Sequence, residues 1–428
     1  MTGKAKKTLI IGLDGVPYGL LKELADHNIM PNFKDLRKEG IFKIMKSTIP
    51  EVSAVSWSSI ITGKNPGEHG VFGFTDILDG SYILSFHNSL KLKAPPFWQI
   101  NERKRYIIVN LPATYPAQKI NGILITGFVS PDLEKAVYPK PYVETLRKMG
   151  YQIDIDVERA KLSPLILFKQ LYETLELRLK VCMKLMDEIM WDVTMIVFTG
   201  TDRLEHFLWN AYEDKNHEQH QNFLDYFKAI DNAIGKISSR LDEEDNLIIL
   251  SDHGMEKIDV NVNISTYLAE KGYLKIEDNP KKGYNSIKRE TKAFALDPSR
   301  IYLNKNGKYP RGSVNKNEEQ KLIQDLTDLF YELTWHGRKV IKKVYRKEEI
   351  YHGNYLENAP DLVLLPERGF NLRARLFHKE IFEMEEGLTG KHTQEDAFLY
   401  VKGPEAYEVV PNNLSVENVL TVIWALGV

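Results

Sequence analysis

Short apolar runs alternate with longer amphipathic stretches along the whole chain. The apolar runs are rich in Ile, Val and Leu and lack a polar face, which is typical of strands covered on both sides. They predict strands at 8–13, 105–110, 122–127, 192–199, 246–251, 300–303, 361–365 and 397–402. The amphipathic stretches predict helices at 31–39, 56–62, 163–190, 217–240, 316–331 and 415–426. This alternation favours an α/β fold with a mostly parallel central sheet between helices.

Two segments interrupt the alternation. Residues 85–185 contain prolines and a long helical stretch, whereas residues 265–355 are polar and rich in lysine. The sequence contains no internal repeat. We therefore expect a single domain over residues 1–428, with 265–355 inserted into it.

The composition favours a globular protein with a large core. The chain has 428 residues, of which 43% are hydrophobic and 27% charged. A net charge of −2 does not favour bulk nucleic-acid binding. The single cysteine, Cys182, excludes an intramolecular disulfide and favours a reducing compartment. Because the apolar stretches are too short to span a membrane, and the one before Asp14 is better explained as a strand than as a signal peptide, we expect a cytoplasmic protein.

Three of the predicted strands end at or just before an aspartate. Asp14 follows the first strand, Asp202 follows the fourth and Asp252 follows the fifth. Because ligands collect at the carboxyl ends of strands in open α/β sheets, we expect these side chains to converge. Two of them bring histidines, since Asp252 precedes His253 and Asp202 lies four residues before His206. Carboxylate oxygens and imidazole nitrogens are ligands for zinc-like ions, so the pattern predicts a metal site.

Two further elements complete the candidate chemistry. If a helix begins after the fourth strand, Asp202 and His206 project from one face. His392 precedes the last predicted strand, and with it three Asp and three His could hold two divalent ions. The segment 48–63 is rich in hydroxyls and leads into a short apolar helix, and it contains Ser53, Ser56, Ser58 and Ser59. A serine at a helix N-terminus beside dications is a candidate nucleophile.

The order of these motifs resembles the alkaline phosphatase superfamily, and most closely its type I phosphodiesterase and nucleotide pyrophosphatase branch. The motifs are the strand ending at Asp14, the hydroxyls before Thr62-Gly63, Thr201-Asp202 with His206, Ser251-Asp252-His253-Gly254-Met255, and Gly390 with His392. The resemblance implies an alkaline-phosphatase-like three-layer α/β/α sandwich and a single catalytic domain. It also implies that the insertion 265–355 is a cap that influences substrate choice.

The resemblance also implies roles for individual residues. Asp14, Asp252 and His253 match the ligands of one metal, and Asp202, His206 and His392 match those of the other. The spacing from Pro50 and Gly63 matches Ser53 to the family nucleophile, which also binds metal. The implied cofactors are two divalent ions, with zinc expected first and manganese or iron as alternatives.

The implied activity is hydrolysis of a small-molecule phosphate ester through a phosphoseryl intermediate. Ser56 stands where phosphodiesterases of the family often have an Asn that holds a phosphate oxygen, and Trp57 offers an apolar surface for a second ester group. We therefore expect both residues to contact substrate. Sulfatases need an Arg where this chain has Trp57, which argues against that activity. No Lys or Arg lies between Ser53 and Thr62, which favours a diester. Lys391 is expected to be exposed.

Other functions remain as alternatives. A phosphomonoesterase or a phosphonate hydrolase of the same superfamily would use the same ligands. A non-catalytic metal-binding regulatory protein would be favoured by the loss of a ligand, but all six ligands and the serine are present. The leading hypothesis is therefore a phosphodiesterase or nucleotide pyrophosphatase.

Overall fold

The computed structural model describes residues 6–384 and 387–428, which form two compact units. The first unit contains Met1–Lys64, Asn88–Glu256 and Gly387–Val428, and the second contains Asn65–His87 and Lys257–Glu386. The expected insertion at 265–355 lies within the second unit. That unit also contains residues outside 265–355, including a segment from the N-terminal part of the chain. A cap role for it stays a prediction.

An eight-stranded sheet forms the centre of the first unit. Its strands are β1 (Thr8–Leu13), β2 (Ile41–Met45), β3 (Tyr106–Leu111), β4 (Gly122–Thr126), β5 (Val137–Tyr138), β6 (Val193–Phe198), β7 (Asn246–Leu250) and β8 (Ala397–Lys402). Their order is β2-β8-β7-β1-β6-β3-β4-β5. The inner strands β7, β1, β6, β3 and β4 run parallel, whereas β2, β8 and β5 are antiparallel to their neighbours. The mostly parallel central sheet is therefore confirmed.

Apolar cores cover both faces of this sheet, because successive side chains of a strand point to opposite sides. Leu9 and Ile11 of β1 belong to one core, and Ile10 belongs to the other. The first core also contains residues of the helices Tyr18–Asp26, Pro31–Leu36, Pro164–Glu188, Gly200–Glu213 and His220–Ser238. The second contains residues of Ser53–Thr62, Phe97–Ile100 and Val419–Ala425. This arrangement confirms the three-layer α/β/α sandwich.

Shorter elements complete the first unit. They are the helices Leu133–Ala136, Tyr142–Lys148, Val157–Ala160 and Ala406–Val409 and the 3-10 helix Val416–Asn418. A separate two-stranded sheet pairs Gly254–Lys257 with Gly390–Thr393. None of the helices in the described residues has the length and apolar character needed to cross a membrane.

The second unit has its own apolar core and contains mainly antiparallel strands. A four-stranded sheet has the order Ala293–Leu296, Arg300–Leu303, Leu362–Pro366, Ile341–Arg346, and a three-stranded sheet has the order Phe370–Arg373, Val260–Asn263, Phe382–Glu383. Two hairpins pair Thr75–Ile77 with Leu84–Phe86 and Thr334–Trp335 with Arg338–Lys339. The helices are Pro66–His69, Ile264–Glu270, Glu319–Glu332 and Lys347–Ile350, with 3-10 helices at Pro280–Ser286 and Leu356–Asn358. The predicted strands 300–303 and 361–365 therefore exist, but they lie outside the parallel sheet.

Two helices of the first unit position the candidate site. The helix Ser53–Thr62, called the Ser53 helix below, begins three residues earlier than predicted, so that Ser53 is its first residue. The helix Gly200–Glu213, called the Asp202 helix, begins directly after β6 and confirms the helical spacing of Asp202 and His206.

Candidate active site

The carboxyl ends of three adjacent strands bring the predicted aspartates together. Because β7, β1 and β6 are neighbours in the sheet, their ends lie side by side, and Asp14, Asp202 and Asp252 follow them. All three side chains are buried. The structure forms two groups whose possible ligand atoms lie within 4.8 Å of one another, namely Asp14, Asp252 and His253, and Asp202, His206 and His392. All six expected ligands thus fall into the two expected sets.

The first group leaves one carboxylate oxygen without a hydrogen-bond donor. His253 Nε2 lies 3.7 Å from Asp14 Oδ1 and 3.4 Å from Asp252 Oδ2. Asp252 Oδ1 accepts a hydrogen bond from the Gly15 amide at 3.2 Å, but Asp252 Oδ2 is buried and has no donor among the described residues. Burial of such an oxygen is unfavourable unless something compensates it. A divalent cation would do so, and the residues therefore fit a metal.

The second group directs three electron-pair donors at a common point. Asp202 Oδ1 lies 3.3 Å from His206 Nε2 and 3.2 Å from His392 Nε2. The two Nε2 atoms are 2.9 Å apart. A carboxylate oxygen with two imidazole nitrogens is a ligand set that zinc-like ions accept. This group also fits a metal.

Backbone carbonyls orient all three imidazole rings. The Nδ1 atoms of His206, His253 and His392 lie 2.8, 3.0 and 2.8 Å from the carbonyl oxygens of Gly390, Gly254 and Glu51. When Nδ1–H donates to a carbonyl, Nε2 carries the lone pair, which is the usual arrangement of a metal-ligating histidine. Each Nε2 faces its ligand group, so all three rings are oriented to bind metal at once.

The electrostatics of the site indicate a deficit of positive charge. Burial raises the pKa of Asp14 well above its usual value, and the nearby carboxylates of Asp252 and Asp202 raise it further. Burial likewise raises the pKa of Asp252 to about 8. Burial alone would raise the pKa of Asp202, but His206 and His392 lower it well below the usual value. Bound dications would favour the ionised carboxylates throughout.

Ser53 lies against the first ligand group. Its Oγ is 3.0 Å from His253 Nε2 and 3.5 Å from Asp14 Oδ1, and the side chain is buried. As the first residue of the Ser53 helix it lies at the positive end of the helix dipole. The first amides of a helix have no intrahelical acceptor, and the residue before Ser53, Val52, provides no side-chain cap. A hydroxyl in this position is a candidate nucleophile.

The side chains of Ser56 and Trp57 are buried and form hydrogen bonds with neighbouring residues. Ser56 is fully buried, and its Oγ lies 2.8 Å from Ser47 Oγ and 2.9 Å from Thr48 Oγ1. Trp57 is also fully buried, and its Nε1 donates to Asp14 Oδ2 at 3.0 Å. The expected contact of both residues with substrate stays a prediction. Trp57 orients a candidate metal ligand.

Several supporting groups were not visible in the sequence. The carbonyl partners of the histidines are backbone atoms, and Thr201 Oγ1, which donates to the Asp14 carbonyl at 2.6 Å, looks like any helix-start threonine. Arg203 follows Asp202 directly, but its partner Asp154 is distant in sequence. Lys391 was expected to be exposed, yet it is 7% exposed and lies 3.0 Å from Glu256 Oε1.

Comparisons with known proteins give one family match and several similar structures. The chain matches the family described as type I phosphodiesterase / nucleotide pyrophosphatase over residues 8–392. Phosphonoacetate hydrolase from Sinorhizobium meliloti 1021, in complex with phosphonoacetate, has a similar structure at a TM-score of 0.66 and 15% identity, with 99% of this chain and 95% of that chain covered. No curated protein sequence matches the chain.

Two further similar structures are mammalian. Murine ectonucleotide pyrophosphatase / phosphodiesterase 5, in complex with AMP, gives a TM-score of 0.56 at 13% identity, with 98% and 94% of the two chains covered. The human protein of that name gives 0.57 at 14% identity, with the same coverage. At these identities the structures show a shared fold. Because the family match spans nearly the whole chain, the protein belongs to the type I phosphodiesterase / nucleotide pyrophosphatase family and is a metal-dependent phosphoric ester hydrolase.

Proposed function

We propose that this protein is a phosphodiesterase of small-molecule substrates with Ser53 as its nucleophile. One observation carries the proposal. Ser53 Oγ lies at the start of a helix, 3.0 Å from Nε2 of His253. That nitrogen belongs to one of two groups of metal-ligand residues. The same position allows attack on a phosphorus atom held between the helix N-terminus and those groups.

The two ligand groups would each hold one divalent ion. Asp14, Asp252 and His253 would hold the first, and Asp202, His206 and His392 the second. When bound, such ions supply positive charge for the attacking oxygen, the leaving oxygen and the transferred phosphoryl group. We propose zinc because the ligands are Asp and His, and manganese or iron also accept this set.

The residues of the chain then have defined tasks. Ser53 Oγ loses its proton and forms a bond to phosphorus while the bond from phosphorus to the leaving oxygen breaks, and the leaving oxygen takes up a proton and departs as the product alcohol. Water then cleaves the phosphoserine, which releases a phosphate monoester and restores the hydroxyl of Ser53. The amides at the start of the Ser53 helix stabilise the nonbridging oxygens. Trp57 holds Asp14 in place through the indole hydrogen bond.

The charge balance supports a diester over a monoester. A monoester dianion needs more positive charge than a diester monoanion. The cationic residues next to the ligands are already paired, since Arg203 contacts Asp154 and Lys391 contacts Glu256. Neither supplies an uncompensated positive charge to the substrate.

Substitution of the nucleophile tests the proposal. Ser53→Ala should retain metal but hydrolyse bis-p-nitrophenyl phosphate slower by about 10³-fold or more, as expected for loss of a nucleophile. Ser58→Ala is the matched control, because Ser58 is buried in the same helix and its hydroxyl donates to the Ala54 carbonyl. The control should keep the wild-type rate. Unchanged turnover by Ser53→Ala would refute the assignment.

A phosphonate hydrolase is the second candidate function, and a parallel assay on phosphonoacetate distinguishes it from a phosphodiesterase.

The location of the protein and the role of the insertion are further proposals. We also propose a cytoplasmic location, supported by the single cysteine, which is free and buried. A cap role for the insertion 265–355 would be supported if substitutions on the second unit changed substrate preference while metal binding was retained.

A further inference from the structure

The guanidinium of Arg203 bridges a ligand carboxylate and a second carboxylate. Its Nη1 donates to Asp202 Oδ2 at 3.2 Å. Its Nε and Nη2 donate to Asp154 Oδ2 at 3.1 and 2.7 Å. The side chains of Arg203 and Asp154 are each only 14% exposed. Ion pairs at this depth depend on geometry and are weakly screened by solvent.

The two oxygens of Asp202 have separate partners. Oδ1 faces the Nε2 atoms of His206 and His392, whereas Oδ2 accepts from Arg203. Rotation of the carboxylate would break the contact with Arg203, so this contact keeps Oδ1 directed at the histidines. The guanidinium carbon lies 4.4 Å from the centroid of the Phe128 ring, which further restricts its position.

A second buried arginine holds the segment that carries Asp154. Arg178 is 1% exposed, and its Nη2 donates to the Ile153 carbonyl at 2.8 Å. Its Nη1 donates to Thr199 Oγ1 at 3.3 Å. Arg178 therefore links the residue before Asp154 to the residue at the start of the Asp202 helix. The buried hydrogen bonds of Arg178 therefore fix the distance between Asp154 and the Asp202 helix, which Arg203 spans.

We propose that Arg203 is a positioning residue, anchored by Asp154, that presents Asp202 Oδ1 to the ion of the Asp202–His206–His392 group. This inference rests on the proposed function. Because Asp154 neutralises Arg203, the trio keeps the net charge of a single carboxylate and does not repel a dication. Both members of the pair should therefore affect metal affinity, although neither is one of the ligands.

The experiment measures metal content of the full-length protein rather than activity. Variants are dialysed against buffered low concentrations of free Zn²⁺, and bound zinc is determined by mass spectrometry. Arg203→Met removes the charge and the hydrogen bonds at similar length, and Asp154→Asn removes the neutralising charge. Each should lower the affinity for one of the two ions by about 10- to 100-fold, the usual range for residues that orient ligands. The other ion should bind with unchanged affinity.

The controls separate positioning from general stability. Arg105→Met breaks another arginine–aspartate pair, in which Nε and Nη2 of Arg105 donate to Asp192 at 2.9 and 2.8 Å beside the start of β6. It should bind both ions like the wild type. Arg203→Lys should recover only part of the metal affinity. Its ammonium keeps the positive charge, but it cannot bridge two carboxylates as a guanidinium does.

Two outcomes overturn the inference. One is wild-type zinc affinity for both ions in Arg203→Met and Asp154→Asn. The other is an equal loss in Arg105→Met, which would show that any broken ion pair has the same effect. The readout is independent of turnover: a wild-type protein that binds two ions but hydrolyses no phosphate ester contradicts the proposed function and leaves the role of Arg203 standing.

Discussion

Trp57→Phe tests whether the indole hydrogen bond prepares Asp14 for metal binding. Trp57 is fully buried, and its Nε1 is 3.0 Å from Asp14 Oδ2. Phenylalanine keeps an aromatic ring in the core but removes the donor. The matched control is Trp98→Phe. Trp98 is 3% exposed and belongs to the same apolar core, and within the described residues its indole donates to no ligand carboxylate.

The expected magnitude follows from the charge state of Asp14. Burial and neighbouring carboxylates raise its pKa well above the usual value, which favours the neutral form in the metal-free protein. A metal requires the ionised form. A hydrogen bond contributes about 1.5–3 kcal/mol to a charged acceptor and about 0.5–1.5 kcal/mol to a neutral one. The difference of about 1–2 kcal/mol corresponds to a factor of about 5–30 in metal affinity.

The assay is a Zn²⁺ titration against a competing chelator, with urea unfolding of the metal-free proteins alongside. Both tryptophan variants should lose stability through similar cavities, but only Trp57→Phe should bind one of its two zinc ions, that of the Asp14 group, about 5- to 30-fold less tightly. Equal zinc affinity in the two variants would show that the indole contact does not contribute to binding, and the reasoning would be refuted.

Three further predictions follow from single residues. Gly12→Ala should destabilise the protein by about 1–3 kcal/mol in urea unfolding, because its Cβ would lie 2.5 Å from Cη2 of Trp57. Burial and the nearby Asp202 raise the pKa of Glu205 well above its usual value, and neither carboxylate oxygen has a hydrogen-bond partner in the part of the chain that the structure describes. The folded state therefore retains a proton that the unfolded state loses above about pH 4.3, so metal-free stability should fall as pH rises. Glu205→Gln should reduce this fall, and its gain over wild type in thermal unfolding should be larger at pH 8 than at pH 5. Burial raises the pKa of Cys182 to about 12, so a thiol reagent should label it only after unfolding.

The strand ends were the most informative part of the sequence. Asp14, Asp202 and Asp252 each follow an apolar run, and parallel strands share one edge, so their convergence follows from a general property of the fold. The choice of Ser53 within its hydroxyl-rich segment needed the resemblance to a known family, because a lone serine has many ordinary roles, whereas His392 was proposed from its position before the last predicted strand. In the structure, Ser53 Oγ lies 3.0 Å from His253 Nε2, and His392 lies in one group with Asp202 and His206.

The supporting contacts could not be predicted because they join distant segments. The sequence shows that Arg203 is beside Asp202, but it does not show that Asp154 is its partner. Trp57 was expected at the surface of the site, yet the direction of its side chain depends on which face of the Ser53 helix packs on the sheet. The strands 300–303 and 361–365 were recognised as strands, but a short apolar run does not reveal which sheet it joins.

The most direct test of the central claim compares two substrates in one experiment. Initial rates are measured on bis-p-nitrophenyl phosphate and p-nitrophenyl phosphate, with added Zn²⁺ or Mn²⁺ and with EDTA. We predict faster cleavage of the diester, loss of activity in EDTA and recovery when metal is restored. Faster cleavage of the monoester, or diester cleavage that persists after complete removal of metal, would contradict the assignment of a two-metal phosphodiesterase.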